Sequence, residues 1–388
     1  MTQQIPPWPE FGLHVVVKPI GPICNLRCRH CFYLEKKSLY ESNESWRMTE
    51  ETLETYIRQY IEAQPATAQE IKFTFQGGEP TLMGLDFFRR VIELEKKYLP
   101  PGKVAGNDLQ TNGILIDDHW CEFLRENRFL VGLSLDGPDE LHDTYRTDAQ
   151  GCGSFRRVVQ ALKCMQKHGV NFNVITCIHR CNGDHPLRVY RFLRDLGVRT
   201  IQFIPIVDPA KDTTSSMSLS EQPEVWVTPE SVLPEQFGDF LVKIFDEWAH
   251  NDMEQIQISD FEQALMNWHG IGSTVCVYKP ICGRALALEH NGDLYACDHF
   301  VTPRYKLGNI HNATIVQLAN LHKQKQFGYS KTVSLPQTCQ ICNVRFACNG
   351  GCPKDRLLPD PNTGEPGFNY LCKGYKKFYT HIDPIIRG

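Results

Sequence analysis

Short runs rich in β-branched and aromatic residues recur between about residues 13 and 205, each followed by a longer stretch with helical spacing of its apolar positions. That alternation predicts βα repeats and a largely parallel sheet. Six strands are expected, at 13–19 (LHVVVKP), 71–76 (IKFTFQ), 103–110 (KVAGNDLQ), 129–136 (FLVGLSLD), 170–178 (VNFNVITCI) and 199–205 (RTIQFIP). Between them, TEETLETYIRQYIEAQ reads as a helix with Thr49 as N-cap and Glu50 and Glu51 in the first turn, where negative charge suits the helix dipole. SFRRVVQALKCMQKHG reads as another, starting at Ser154 and stopping at Gly169.

Six βα units are fewer than the eight that close a full barrel, so an open, partial barrel is expected. Loops at the C-terminal ends of such strands converge on one mouth. The unusual residues of the chain fall there: CNLRCRHC after the first strand, QGGEPT at the end of the second, QTNG of the third and SLDGP of the fourth. Residues 206–236 are rich in Pro, Ser and Thr, lack periodicity and read as a linker or long loop. A helix, FGDFLVKIFDEWAHND, follows. From about 270 the chain is cysteine-rich and short of core-forming runs, a composition that needs metal to hold it together. The expected division is a barrel over residues 1–236 and a helical linker with a cysteine-rich domain over 237–388.

A hydrophobic fraction of 41% and a charged fraction of 22% over 388 residues describe an ordinary globular protein, large enough for a barrel with an appendage. A net charge of −4 with no long Lys or Arg block leaves no footprint for a phosphate backbone or an anionic membrane surface. Neither nucleic acid nor membrane is an expected partner. The start, MTQQIPPWPEFG, lacks basic and apolar signal regions, and no apolar run approaches the ~20 residues that span a bilayer, so the expected location is the cytoplasm.

In that compartment sixteen cysteines point to metal or redox chemistry rather than disulfides. Cys24, Cys28 and Cys31 form a C-x3-C-x2-C array. Three thiolates on one tight loop suit a cubane iron–sulfur cluster in which one iron has no protein ligand and stays open to a small molecule. A structural zinc completed by a distant cysteine or by His30 is the other reading. Eight further cysteines, Cys276, Cys282, Cys297, Cys339, Cys342, Cys348, Cys352 and Cys372, are the number needed for two four-thiolate sites, iron–sulfur or zinc. ALALEHNGDLYAC alternates around Asn291-Gly292, which predicts a type I′ hairpin returning Cys297 beside Cys282. The remaining five, Cys121, Cys152, Cys164, Cys177 and Cys181, are expected to be small buried apolar side chains.

CNLRCRHC after the first strand, with GGEP closing the second, resembles the radical S-adenosylmethionine superfamily. The resemblance implies that the open iron binds the amino and carboxylate groups of that cofactor, and that an electron from the cluster splits the sulfonium to a 5′-deoxyadenosyl radical. The position before the last motif cysteine, often Tyr or Phe in that superfamily, is His30 here. In this reading Gly77 and Gly78 let backbone approach a zwitterionic ligand, and Glu79 accepts from its ammonium. Ser134 and Arg146 are candidates for its carboxylate. Gln76, Gln110 and Asn112 stand at strand ends as further cofactor or peptide contacts, with turn formation beside Gly113 the plainer role for Asn112. The last eight cysteines resemble a SPASM domain, which implies two auxiliary [4Fe–4S] clusters. Cys276, Cys282, Cys297 and Cys352 would hold one, and Cys339, Cys342, Cys348 and Cys372 the other. The fold implied is α/β, a partial (β/α)6 TIM-like barrel carrying that domain at its C-terminal end.

Nearly the whole chain is similar to the anaerobic sulfatase-maturating enzymes, through CNLRCRHCFY, FQGGEPTL, LQTNG, LVGLSLDGP, IQFIP, GDLYACDHF, LGNI and the spacing of the last eight cysteines. That implies oxidation of one Cys or Ser in a sulfatase C/S-x-P-x-R segment to formylglycine. The implied cofactors are three [4Fe–4S] clusters and S-adenosylmethionine. The implied partners are an unfolded or nascent sulfatase polypeptide and an electron donor such as a flavodoxin or ferredoxin. Asp298, next to Cys297, resembles the family's proposed catalytic aspartate and would take the thiol or hydroxyl proton, its alternative role being an exposed hairpin aspartate. Tyr33 resembles a family tyrosine lining the cofactor and substrate cavity. Two other functions fit parts of the pattern: a SPASM-type maturase forming thioether or carbon–carbon crosslinks, and a zinc-stabilised binding module.

Overall fold

Six parallel strands, β1 (His14–Lys18), β2 (Glu70–Phe75), β3 (Val104–Thr111), β4 (Leu130–Ser134), β5 (Asn171–Ile178) and β6 (Thr200–Pro205), pair in chain order. The computed structural model describes residues 6–41, 45–210 and 227–387. Helices α1 (Glu50–Glu62), α2 (Leu85–Tyr98), α3 (Asp118–Glu126), α4 (Asp139–Asp143), α5 (Phe155–His168) and α6 (Pro186–Asp195) connect the strands. All six expected strands are present, so the open (β/α)6 barrel follows from the periodicity alone. Thr49 caps α1 by accepting from Thr52 N at 3.2 Å, and Gly169 ends α5 in the left-handed conformation. Ser154 does not cap α5. Its Oγ donates to Arg146 O, and Asp143 Oδ1 instead takes the Phe155 N–H at 2.8 Å.

The sheet extends beyond the six repeats. Helix α7 (Pro234–Asn251) leads to the short strand β7 (Gln257–Ile258), which pairs parallel to β6. At the opposite edge β8 (Ala285–Glu289) pairs parallel to β1, and β9 (Asp293–Tyr295) and β10 (Lys306–Asn309) follow antiparallel. The ten-stranded order is linear, so the barrel is open, and the cysteine-rich half is joined to it through β1. The expected hairpin turn differs from type I′. Three residues connect β8 to β9, Gly292 N–H bonds Glu289 O at 3.0 Å, and only Gly292, not Asn291, has positive φ. This is a type I turn closed by a left-handed glycine, the usual form of a three-residue hairpin loop. Of the expected linker, residues 211–226 lie outside the described residues; its flanks meet at a Pro209–Val227 bridge.

Alternate strand residues face two environments. Val15, Val17, Phe73, Phe75, Val131, Leu133 and Val174 are buried, with Phe73 against Tyr56 and Tyr60 of α1 and Phe75 against Phe88 of α2. The other set includes partly exposed polar residues such as Thr74, Asp108, Gln110, Ser134 and Gln202, so the inner face is polar rather than filled with aliphatic layers. Among the described residues no helix is long and apolar enough to cross a membrane.

One buried acid gives a stability prediction. Glu95 on α2 accepts from Asn107 Nδ2 at 3.1 Å, and burial pushes its pKa up to about 8. Its neutral form is favoured in the folded state, so its contribution is full below about pH 4.5 and is lost as pH rises toward 8. Glu95→Gln is expected to stabilise the protein by about 3 kcal/mol at pH 7, the gain growing between pH 6 and pH 8. Thermal melts across that range check it; a gain independent of pH would remove the charge as its cause.

Candidate functional site

The cysteine loop between β1 and α1 is held by backbone. Arg27 N–H bonds Thr147 O at 2.7 Å, Arg29 N–H bonds Tyr145 O at 2.9 Å, and Cys31 N–H bonds Cys28 O at 3.1 Å. The GGEP loop after β2 closes the other side, with Gly78 N–H to Gly21 O and Glu79 N–H to Ile23 O, both at 2.8 Å. A Cβ on Gly78 would lie 1.9 Å from Ile23 O, so only glycine permits this approach. Asn112 does more than turn the chain: Oδ1 accepts from Ile114 N at 3.0 Å, while Nδ2 donates to Asn25 Oδ1 at 2.7 Å and reaches Cys24 Sγ at 3.7 Å. Burial pushes the thiol of Cys24 up to about 12 and that of Cys28 up to about 11. A cation is therefore needed to hold them as thiolates.

Two candidate ligand-binding side chains have other partners. Glu79 is 1% exposed; its Oε1 accepts from Thr81 N, Thr81 Oγ1 and Thr111 Oγ1, and its Oε2 from Asn112 N. It ties the GGEP loop to the end of β3, because burying a carboxylate demands internal donors. Arg146 is likewise committed, with Nε and Nη2 on the carboxylate of fully buried Asp136 at 2.5 and 3.1 Å, and Nη2 also 3.3 Å from Cys177 Sγ. Its guanidinium lies close enough to Cys28 to oppose the upward push of burial on that thiol. His30 turns inward to the same network, stacked 5.8 Å from His179, and burial pushes its pKa down to about 3, leaving it neutral. Ser134 and Gln110 pair at 3.1 Å at the mouth, both partly exposed.

The sequence reading missed Lys18, the last residue of β1. Its ammonium, 1% exposed, contacts Asp298 Oδ1, donates to Gln76 Oε1 at 3.0 Å and sits 4.3 Å from the ring centroid of Tyr33. Tyr33 is itself buried, and its hydroxyl donates to Glu289 Oε1 at 2.5 Å. β1 pairing with β8 explains this meeting, since it carries the hairpin and the segment after β9 to the barrel mouth. Burial works against the Asp298 carboxylate, but Lys18, with His299, holds its pKa below the ordinary value. The Asp298 side chain keeps 19% exposure, so an edge remains accessible.

The eight C-terminal cysteines gather in two places. Cys339, Cys342, Cys348 and Cys372 line one cavity of about 470 Å³, together with Arg345 and Lys376. In the other group, the thiols of Cys282, Cys297 and Cys352 each feel the charge of Cys276, and burial pushes Cys282 up to about 11 and Cys352 up to about 12. Beside that group Lys331, fully buried, donates to Cys276 O at 2.6 Å and Val277 O at 2.7 Å. Burial pushes its pKa down to about 8, opposed by the sulfurs of Cys282, Cys276 and Cys352. Arg356 donates to Lys331 O at 2.7 Å and is influenced by thiols of both groups. Among the described residues neither cation has a carboxylate partner, so an anionic group between the cysteines suits the surroundings.

Among the described residues only two His, Cys, Asp or Glu trios have ligand atoms within 4.8 Å of one another, His30–Asp136–Cys177 and Asp118–Cys164–His168. No trio within the three expected cysteine sets is that tight, whereas a tetrahedral zinc with ~2.3 Å bonds holds sulfurs about 3.8 Å apart. Of the five central cysteines, Cys121 is buried, Cys164, Cys177 and Cys181 are partly exposed, and Cys152 is exposed in the Gly151–Gly153 turn, against expectation.

Residues 19–201 match the Radical SAM superfamily, and residues 276–343 match an iron–sulfur cluster-binding SPASM domain. A serine-type anaerobic sulfatase-maturating enzyme of Bacteroides thetaiotaomicron is 44% identical over 96% of this chain and 90% of its own. A cysteine-type enzyme of Clostridium novyi is 33% identical over 95% of this chain and 94% of its own. The solved structure of native anSMEcpe with bound AdoMet and Kp18Cys peptide superposes with a TM-score of 0.84 at 31% identity, covering 97% of this chain and 98% of that one. The barrel with its three-cysteine loop, the joined cysteine-rich domain and these relatives lead to one conclusion: the chain belongs to the anaerobic sulfatase-maturating enzymes of the radical SAM superfamily.

Proposed function

We propose that this chain oxidises a serine or cysteine side chain in a sulfatase C/S-x-P-x-R segment to formylglycine, using S-adenosylmethionine and three [4Fe–4S] clusters. Cys24, Cys28 and Cys31 would hold the cofactor-binding cluster; Cys276, Cys282, Cys297 and Cys352 would hold one auxiliary cluster, and Cys339, Cys342, Cys348 and Cys372 the other. The barrel, residues 1–236, then carries cofactor chemistry, and residues 237–388 the auxiliary centres. The single observation that carries the reading is the meeting of Asp298, which follows Cys297, with Lys18 and Gln76 at the mouth of the barrel. It supports a proton acceptor, and a loop that would bear a cluster, beside the loops that would bind the cofactor.

When bound, these groups supply a radical that takes one hydrogen atom from the substrate Cβ and an acceptor for the one electron then left on the substrate. The chain supplies the rest. Gly77 and Gly78 bring backbone against the cofactor, and Gln76, Gln110 and Ser134 line the mouth where the peptide is oriented. Asp298 receives the thiol or hydroxyl proton at its open edge, and Lys18 fixes the direction of that carboxylate. Serine gives the aldehyde directly; cysteine gives a thioaldehyde, and water then replaces its sulfur. A nascent or unfolded sulfatase in the cytoplasm is the proposed partner, with a flavodoxin or ferredoxin as electron source. The peptide held by anSMEcpe supports a peptide substrate, and both serine-type and cysteine-type relatives warrant testing both residues.

Anaerobic incubation of reconstituted protein with reductant, S-adenosylmethionine and paired Ser and Cys peptides is expected to give the aldehyde mass together with 5′-deoxyadenosine. The protein is expected to be brown, with roughly twelve iron and twelve sulfide per chain. A crosslinked peptide without aldehyde would replace the reading with a different peptide maturase, and a colourless zinc protein would end it.

A further inference from the structure

Cys121 and Cys164 stand outside every cluster set, yet their Sγ atoms are 3.4 Å apart across the packed helices α3 and α5. Asp118 lies one turn before Cys121 on α3, exposed where Cys121 is buried, and His168 lies one turn after Cys164 on α5, so the four flank one seam. Asp118 Oδ1 lies 3.8 Å from Cys164 Sγ and 2.5 Å from His168 Nε2, and these three donor atoms lie within 4.8 Å of one another. We propose that Asp118, Cys121, Cys164 and His168 form a structural site for a zinc-class divalent cation that ties α3 to α5.

The donor chemistry fits that class. Two thiolates, one imidazole and one carboxylate are borderline-soft ligands, and zinc bonds of ~2.3 Å to sulfur and ~2.0–2.1 Å to N or O put donors about 3.3–3.8 Å apart. The Cys121–Cys164 and Cys164–Asp118 separations lie near that range; the hydrogen-bonded Asp118–His168 pair must open, and Cys121, which stands outside the three mutually close donors, must turn toward Asp118 and His168. Four protein donors leave no open position, which makes the site a clamp rather than a second reaction centre. On loading, the two thiols release their protons to solvent and no electrons are exchanged. Lys167 is the rival: its Nζ reaches Asp118 Oδ1 at 2.8 Å, but its side chain is 70% exposed and can turn outward. The seam shares no residue with the barrel mouth, so the outcome is independent of the peptide activity.

The test uses the fully iron-loaded holoenzyme, kept anaerobic, exposed to zinc and desalted. Wild type is expected to retain about one zinc per chain with its iron unchanged, and zinc-edge X-ray absorption should show two sulfur and two nitrogen or oxygen neighbours. Cys121→Ser/Cys164→Ser should lose that zinc while keeping its iron. If the double variant fails to fold, His168→Gln and Asp118→Asn, both at the helix surface, must each lose zinc. Equal zinc retention in wild type and variants, or a Cys121–Cys164 disulfide in anaerobically prepared protein, would overturn the proposal.

Discussion

Asp298→Asn is expected to lower formylglycine formation by about 10²–10⁴-fold while 5′-deoxyadenosine continues to form. The amide matches the carboxylate in shape and can stay beside Lys18, but it cannot take the proton that the substrate must lose. Cofactor cleavage depends on the three-cysteine loop and should persist, so the ratio of 5′-deoxyadenosine to aldehyde should rise by the same factor. Wild-type activity should be flat from pH 6 to 8, because Lys18 holds the Asp298 pKa below the ordinary carboxylate value and the carboxylate is lost only in acid. An unchanged aldehyde yield in the asparagine variant would take Asp298 out of the mechanism.

Gly78→Ala is expected to abolish cofactor cleavage and to cost the protein the iron of its N-terminal cluster. The added Cβ would meet Ile23 O at 1.9 Å, and that oxygen belongs to the backbone one residue before Cys24. The strand–loop contact must open, breaking the bonds from Gly78 N–H to Gly21 O and from Glu79 N–H to Ile23 O. Overpacking of this kind typically costs 1–3 kcal/mol, roughly, and here it falls on the loop that gathers three thiols. Iron analysis should show about one third of the metal missing, with the C-terminal sites retained. Full iron and normal 5′-deoxyadenosine would mean that the cysteine loop tolerates displacement.

The periodicity of the chain was enough to locate every barrel strand, because alternation of buried and open positions is written into neighbouring residues and each strand reports its own faces. The cysteine spacings were legible for the same local reason. The internal partners of Glu79 and Arg146 were not. Those partners, Thr111, Asn112 and Asp136, come from other segments, and nothing local indicates that they meet Glu79 and Arg146. Ser154 and the Asn291-Gly292 turn erred by less, since a cap or a turn type depends on one competing hydrogen bond.

By itself the sequence determined the βα succession, the open barrel, the three-cysteine loop at its mouth and the supply of eight further thiols. Only the tertiary structure decided that β8 pairs with β1, that Lys18 therefore meets Asp298, and that Lys331 is buried against Cys276 with no carboxylate partner among the described residues. The physical reason is range. Helix and strand periods are set by residues a few positions apart, whereas the charge environment of a buried group is set by whichever distant side chains the completed sheet brings within a few ångströms.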